Sequence, residues 1–267
     1  MLGLLLPSLF YLSQAHWALL VAAFIGVGAW ELVALLRWSE MSRRLFGVII
    51  ALGCAGVSLL APDALGAGAL PVYGAPWVIA VYSIAAVFWC LIIPFWLRTR
   101  WALGSGGAGL LTGLVVLFPT WLALVQLRIP GPAILLALFA VVWMADIAAY
   151  FSGKAFGKHK LAPNISPGKT WEGAIGAVIG VIFYGLVMRL LTGFSPVALP
   201  LWVVALIAVT AVSIIGDLYE SMLKRQAGIK DSSNVLPGHG GVLDRIDSLT
   251  STMPIIALLW LMTQSAS

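Results

Sequence analysis

The sequence predicts an all-α fold, a polytopic membrane bundle with eight or nine transmembrane helices, and three observations carry that prediction. Hydrophobic residues make up 61% of the 267 and charged residues 9%, with a mean hydropathy of +1.04; a water-soluble domain of this length does not reach that balance. A spanning helix needs roughly 20 apolar residues, and the stretches 17–37, 44–62, 76–97, 107–127, 130–151, 172–192, 199–219 and 249–265 supply them. Thirteen of the fifteen lysines and arginines fall on alternate connections between these stretches, with Arg128 and Arg189 on the others. Cytoplasmic loops carry that bias.

Taken in order, residues 2–12 are apolar but short, and read as a ninth span or an interfacial lead-in. A cleaved signal peptide is not expected, because no Lys or Arg precedes the apolar run. The turn after the first span holds Arg37, Arg43 and Arg44, and the end of the third holds Arg98 and Arg100. Lys154, Lys158, Lys160 and Lys169 occupy 152–171, and Lys224, Arg225, Lys230 and Arg245 follow the seventh span. All of these belong on the cytoplasmic side, with the C-terminus outside. We divide the chain into N-terminal transmembrane helices, 1–135, and a C-terminal transmembrane catalytic region, 136–267, with cytoplasmic loops 152–171 and 220–248. Cys54 and Cys90 lie inside spans and show no metal-ligand spacing. Gly173, Gly176 and Gly180 on one helix mark close helix packing.

The chemistry concentrates between Gly216 and Ser248. Asp217, Glu220, Asp231, Asp244 and Asp247 there are half of the chain's ten acidic residues. Asp217, Glu220, Ser221 and Lys224 are spaced i, i+3, i+4, i+7, which places them on one face of a helix. Asp244, Asp247, Ser248 and Ser251 repeat the spacing on the far side. Between them Gly228, Asn234, Pro237, Gly238, Gly240 and Gly241 require turns. Carboxylates converging at one membrane face repel unless a cation separates them. Mg²⁺ does this with one or two protein carboxylates, filling its other positions with water and phosphate oxygens. Lys224, Arg225, Lys230 and Arg245 are then placed to clamp phosphates.

Three further groups stand out. Asp146, with Tyr150 one turn on, is an ionisable residue within a span and reads as functional or as a cap near the cytoplasmic end. Glu31, near Arg37, reads as a structural partner between helices. Ser166, Lys169, Thr170 and Glu172 suit a phosphate near a helix N-terminus, or an N-cap with an anchoring lysine. The Gly168-Lys169-Thr170 ending is not a P-loop, since Pro163 stands where the first glycine belongs and no strand is expected before it. Of the histidines, His16 is interfacial, His159 adds little to its loop, and His239 reads as a hydrogen-bonding or phosphate-contacting group.

Ser221, Leu223, Lys224, Arg225, Lys230, Asp231, Pro237, His239, Gly240, Gly241, Val242, Asp244, Arg245, Ile246 and Asp247 together resemble, without a gap, the signature of the phosphatidate cytidylyltransferases. Asp146, Tyr150 and Gly153 resemble a second family element, and Ser166, Pro167, Lys169, Thr170 and Glu172 a third, in which Gly168 replaces a lysine. The resemblance implies transfer of a cytidylyl group from CTP to phosphatidate, giving CDP-diacylglycerol and pyrophosphate in phospholipid biosynthesis. It further implies an all-helical, often homodimeric protein of the inner (plasma) membrane that depends on a divalent metal, with room for a second cation. By motif position Asp217 and Asp244 look like the metal ligands. Lys224, Arg225, Lys230, Asp231, His239 and Arg245 look catalytic, and Asp146, Tyr150, Ser166, Lys169, Thr170, Glu172, Ser221 and Asp247 substrate-binding. Nucleic acid is not an expected partner. An ion-coupled transporter is the rival of another class, although its carboxylates belong at the midplane. A kinase or nucleotidyltransferase acting on a polyprenol or another lipid is the nearer rival.

Overall fold

The computed structural model describes residues 2–68, 74–102, 106–193, 197–236, 238 and 240–265. In chain order the helices are α1 (Leu2–Tyr11), α2 (Gln14–Leu35), α3 (Glu40–Leu60), α4 (Pro76–Val87), α5 (Ile93–Thr99), α6 (Gly107–Gln126), α7 (Pro132–Phe156), α8 (Trp171–Thr192), α9 (Leu199–Ala227) and α10 (Leu243–Ser265). A π-helical stretch, Phe88–Ile92, joins α4 to α5 in a single rod. Its cause lies at Pro94, which has no N–H and whose ring would strike the carbonyl one turn back, so the helix widens locally. Eight helices among the described residues are long and apolar enough to cross a membrane. The expected all-α membrane bundle therefore holds. At ten residues α1 reaches only about 15 Å, which is half the hydrocarbon thickness, and it is not one of the eight.

Two packed regions share α9. The larger core runs through α1 to α6 and into α9 and α10, with Trp17, Trp89, Trp121 and Tyr82 fully buried. Helix α10 is its axis, touching α2, α4, α6, α7 and α9. The smaller core, Val141, Ala145, Ala177, Val181, Leu206 and Val209, seats α7 and α8 against α9. Glycines set the close approach of α7 to α8. A Cβ at Gly180 would lie 2.6 Å from Ala148 Cβ, and one at Gly176 would overlap Ser152. Such small residues let helices in lipid gain contact without a hydrophobic drive between them. Gly26 and Gly47 do the same for α2 and α3, since a Cβ at Gly26 would meet Ala51 Cβ at 2.8 Å.

The helices run further into the polar zone than hydropathy indicates. Helix α7 continues to Phe156 and α9 to Ala227, while α10 starts at Leu243, because hydropathy finds the part in lipid and not the length of the helix. The 152–171 connection is largely ordered as the end of α7 and an antiparallel hairpin, β1 (Lys160–Ala162) with β2 (Ser166–Thr170). Lys160 pairs with Thr170 and Ala162 with Ser166. A short strand thus does precede Gly168-Lys169-Thr170, yet these three residues lie in extended β2 and form no phosphate-wrapping loop.

Arg128 is an exception to the charge alternation for a structural reason. Its guanidinium is buried, donates to Leu9 O (2.9 Å), Gln14 Oε1 (2.9 Å) and Leu12 O, and lies over the Trp17 ring. Burial draws its pKa down from the ordinary value, and the three acceptors offset that desolvation. Arg128→Met strands those acceptors, so we expect a stability loss of about 2–4 kcal/mol. A lowered thermal midpoint in detergent would register it; an unchanged midpoint would contradict the role.

Candidate active site

The site is assembled where α9 ends and α10 begins. Helix α9 closes at Gly228, whose φ of +78° is left-handed. The N–H groups of Gly228 and Ile229 return to Arg225 O (3.1 Å) and Lys224 O (3.0 Å), which satisfies carbonyls that a helix end leaves open. Helix α10 begins against Glu31 of α2. That side chain is fully buried and accepts from Val242 N (3.0 Å), Leu243 N (2.6 Å) and Ser233 Oγ. An anion at a helix N-terminus is favourable on both hydrogen-bond and dipole grounds. The structure gives Glu31 the interhelix role expected of it, with backbone as its partner, while Arg37 turns instead to Gln226 O (3.2 Å).

Asp244 fixes the connecting loop. Its Oδ2 accepts from Gly241 N (2.8 Å), Ser232 N (2.9 Å) and Ser232 Oγ (3.0 Å), and its Oδ1 pairs with Lys224 Nζ at 2.8 Å. This explains the paired glycines. A Cβ at Gly240, where φ is +81°, would lie 2.7 Å from Asp244 Oδ2, and one at Gly241 would lie 2.5 Å from Glu31 Oε1. No side chain fits between these two carboxylates and the backbone they hold.

Beside this knot lies a belt of carboxylates. Asp217 on α9 pairs with Lys169 of β2 and accepts from Ser221 Oγ at 3.2 Å. Asp146 of α7 lies within electrostatic range of Asp217 and Lys169, and Asp247 of α10 within range of Asp217, Asp146 and Glu220. Glu220 is buried, with Lys224 Nζ 3.5 Å away. Among the described residues, the ammonium groups of Lys169 and Lys224 pair with Asp217, Glu220 and Asp244 of this belt. Carboxyls gathered this closely favour a cation among them whenever they ionise together.

The remaining residues divide. Thr170 caps α8 by accepting from Gly173 N (3.1 Å). Glu172 accepts from the backbone N of His159 (3.2 Å) and meets its Nδ1 at 2.6 Å, closing the hairpin onto α8. Ser166 opens β2. Tyr150 is exposed, with Lys154 Nζ 5.8 Å from its ring centroid. Arg225, Lys230, Asp231 and Arg245 are exposed on the same rim. Pro237 and His239 lie outside the described residues.

A family model described as the cytidylyltransferase family matches residues 1–263. The chain belongs to that family. It is 42% identical over 267 residues to a phosphatidate cytidylyltransferase of Pseudomonas aeruginosa, covering 97% of this chain and 93% of the relative. Relatives of the same name from Haemophilus influenzae (47% identical; 49% of this chain and 46% of the relative) and Brucella suis (46% identical; 61% and 60%) match over part of their length. The signature of this cytidylyltransferase therefore has a structural content: Lys224, Asp244 and the glycine pair are one hydrogen-bonded unit.

Among the described residues, no group of three or more His, Cys, Asp or Glu side chains is placed to hold a metal ion. A site built on a single protein carboxylate fits the residues present. Each oxygen of the Asp217 carboxylate keeps acceptor capacity beyond Lys169 and Ser221, and its side chain is 31% exposed. Mg²⁺ asks for that kind of ligand, with water and substrate phosphate completing its shell. Asp244 is only 6% exposed and both its oxygens are engaged, so it can serve as a ligand only in exchange for Lys224. Sequence reasoning missed Ser232, the His159 clamp and the Lys169–Asp217 pair. Only Ser232 carried a signal, a turn-forming serine beside Asp231.

Proposed function

We propose that the protein transfers a cytidylyl group from CTP to phosphatidate, releasing pyrophosphate and leaving CDP-diacylglycerol in the membrane. The observation that carries this reading is the carboxylate belt at one end of the bundle, with Lys169 and Lys224 in it and basic residues on its rim. The reading includes a bacterial inner membrane, a site open to the cytoplasm, a homodimer and Mg²⁺ held by Asp217 and Asp244.

A phosphate monoester is largely doubly ionised near neutral pH, so the nucleophile needs little help from a base. One oxygen of phosphatidate forms a bond to the α-phosphorus of CTP as the bond from that phosphorus to the bridging oxygen breaks. The electron pair leaves on pyrophosphate. The barrier is then mainly repulsion between two anions and the cost of aligning them. Lys169 and Lys224 supply positive charge, and the glycine-rich loop brings backbone N–H groups close. Mg²⁺, when bound, would supply charge neutralisation on the triphosphate.

The test is the purified protein in mixed micelles with labelled CTP, offered phosphatidate and a dolichol-like alcohol side by side. CDP-diacylglycerol should form from the first alone; label passing only to the alcohol would refute the reading. Solute uptake into sealed vesicles without CTP turnover would favour a transporter. Chelation by EDTA should abolish turnover and added Mg²⁺ should restore it, while turnover that persists through chelation would remove the metal. Light scattering of the detergent complex measures the homodimer.

A further inference from the structure

Arg98 and Arg100 stood in the sequence only as markers of sidedness, yet they line an open cleft of about 360 Å³. Its other walls are the hairpin, with Leu161, Asn164 and Ile165, and Leu218 of α9. Leu218 follows Asp217 in the chain, and the same hairpin carries Lys169 to Asp217. The cleft therefore shares two elements, the hairpin and α9, with the carboxylate belt.

The backbone here is held deliberately. Arg37 and Arg100 are the two non-glycine residues at positive φ among the described residues, at 60° and 54°, a conformation that a larger side chain adopts only where its surroundings impose it. Both are tied to Gln226, which follows Lys224 and Arg225. Gln226 Nε2 donates to the carbonyls of Arg100 and Trp101, each at 3.1 Å, and Gln226 O accepts from Arg37 Nη2. Trp96 Nε1 donates to Trp101 O at 2.7 Å, and the Trp96 ring packs on Trp101 and Tyr219. The end of α5 is thus fastened to the last turn of α9.

Charge decides what the cleft takes. Lys169 and Lys224 already face carboxylates, whereas among the described residues no carboxylate pairs with Arg98 or Arg100. We infer that this cleft is the subsite for the β- and γ-phosphates of the nucleoside triphosphate, and so for pyrophosphate before it leaves. The inference rests on the cytidylyl-transfer reading above. Two guanidinium forks match phosphate oxygens in bidentate geometry, and apolar walls strengthen the attraction. A leaving group bound by cations that no carboxylate has claimed departs without breaking the Lys169–Asp217 or Lys224–Asp244 pairs.

The experiment compares wild type with Arg98→Ala/Arg100→Ala and with Arg98→Lys/Arg100→Lys, using steady-state kinetics and calorimetric titration of pyrophosphate into the full-length protein in detergent. In the alanine variant we expect the KM for CTP and the inhibition constant of pyrophosphate to rise together by roughly tenfold or more. The KM for phosphatidate and inhibition by CMP should stay put, and the lysine variant should recover part of the loss. A rise confined to the phosphatidate KM would make the cleft a lipid-headgroup site. Equal weakening of CMP would make it a nucleoside site. Unchanged constants would leave the arginines as topology signals, and each of these results overturns the inference. Pyrophosphate titration reads the cleft directly, so an absence of CDP-diacylglycerol synthesis in the wild type would refute the reaction without deciding the subsite.

Discussion

Replacing Asp217 with Asn is expected to leave a folded, membrane-inserted protein whose turnover falls by a factor of about 10² or more. Asn has the size of Asp and still accepts from Ser221, so the helix face is preserved. What disappears is the charge that holds Lys169 and, in the proposed site, the open ligand for Mg²⁺. The Asp217 and Lys169 side chains are 31% and 23% exposed, and pairs this open contribute about 1 kcal/mol or less to stability. The thermal midpoint should therefore barely move. Asp244→Asn should behave differently. It also loses activity, but its amide can no longer accept from Lys224 on one side and from Ser232 and Gly241 on the other. One side would meet donor against donor, and the midpoint should drop as well. Turnover of CTP with phosphatidate, measured with the melting curve of each variant, separates the two roles. Near-normal turnover in the Asp217 variant would remove that carboxylate from the reaction.

The difference between these aspartates also marks where the sequence was legible. Hydropathy located all eight spans, because twenty apolar residues in a row have few other uses. Helical spacing located the face bearing Asp217, Glu220, Ser221 and Lys224, because that period is a property of the backbone. Neither indicates which helices meet. The Lys169–Asp217 pair joins a hairpin to a helix that follows a whole intervening span, and no local pattern encodes such a pairing. Glu31 could be seen to need a partner, since a carboxylate in a span is costly when alone. Its actual partners, two backbone N–H groups and the Ser233 hydroxyl, all more than 200 residues on, leave no local pattern around Glu31. The cleft at Arg98 and Arg100 was hidden for a related reason: a positive charge at a helix end already has a sufficient explanation in topology.

Glu31→Ala should destabilise the fold strongly, although Glu31 lies outside the signature. Its carboxylate is fully buried and takes the Val242 and Leu243 N–H groups at the start of α10. Alanine would strand those donors and the Ser233 hydroxyl away from water, at a cost of about 3–5 kcal/mol. Glu31→Gln should cost less, because its amide oxygen satisfies one N–H while its NH₂ group faces the other. The consequence for function follows from what α10 carries: Asp244 and Asp247 lie within its first two turns, so a frayed start displaces both. We therefore expect the melting midpoint and turnover to fall together in the order wild type, Gln, Ala, with loop 228–242 more readily cut by protease. Gly241→Ala should give a related defect, since its Cβ would overlap Ser232 Oγ and crowd Glu31 Oε1. A Glu31→Ala protein that melts like wild type would show that the α10 N-terminus is held by something other than this carboxylate. Normal melting with lost turnover would instead make Glu31 part of the chemistry.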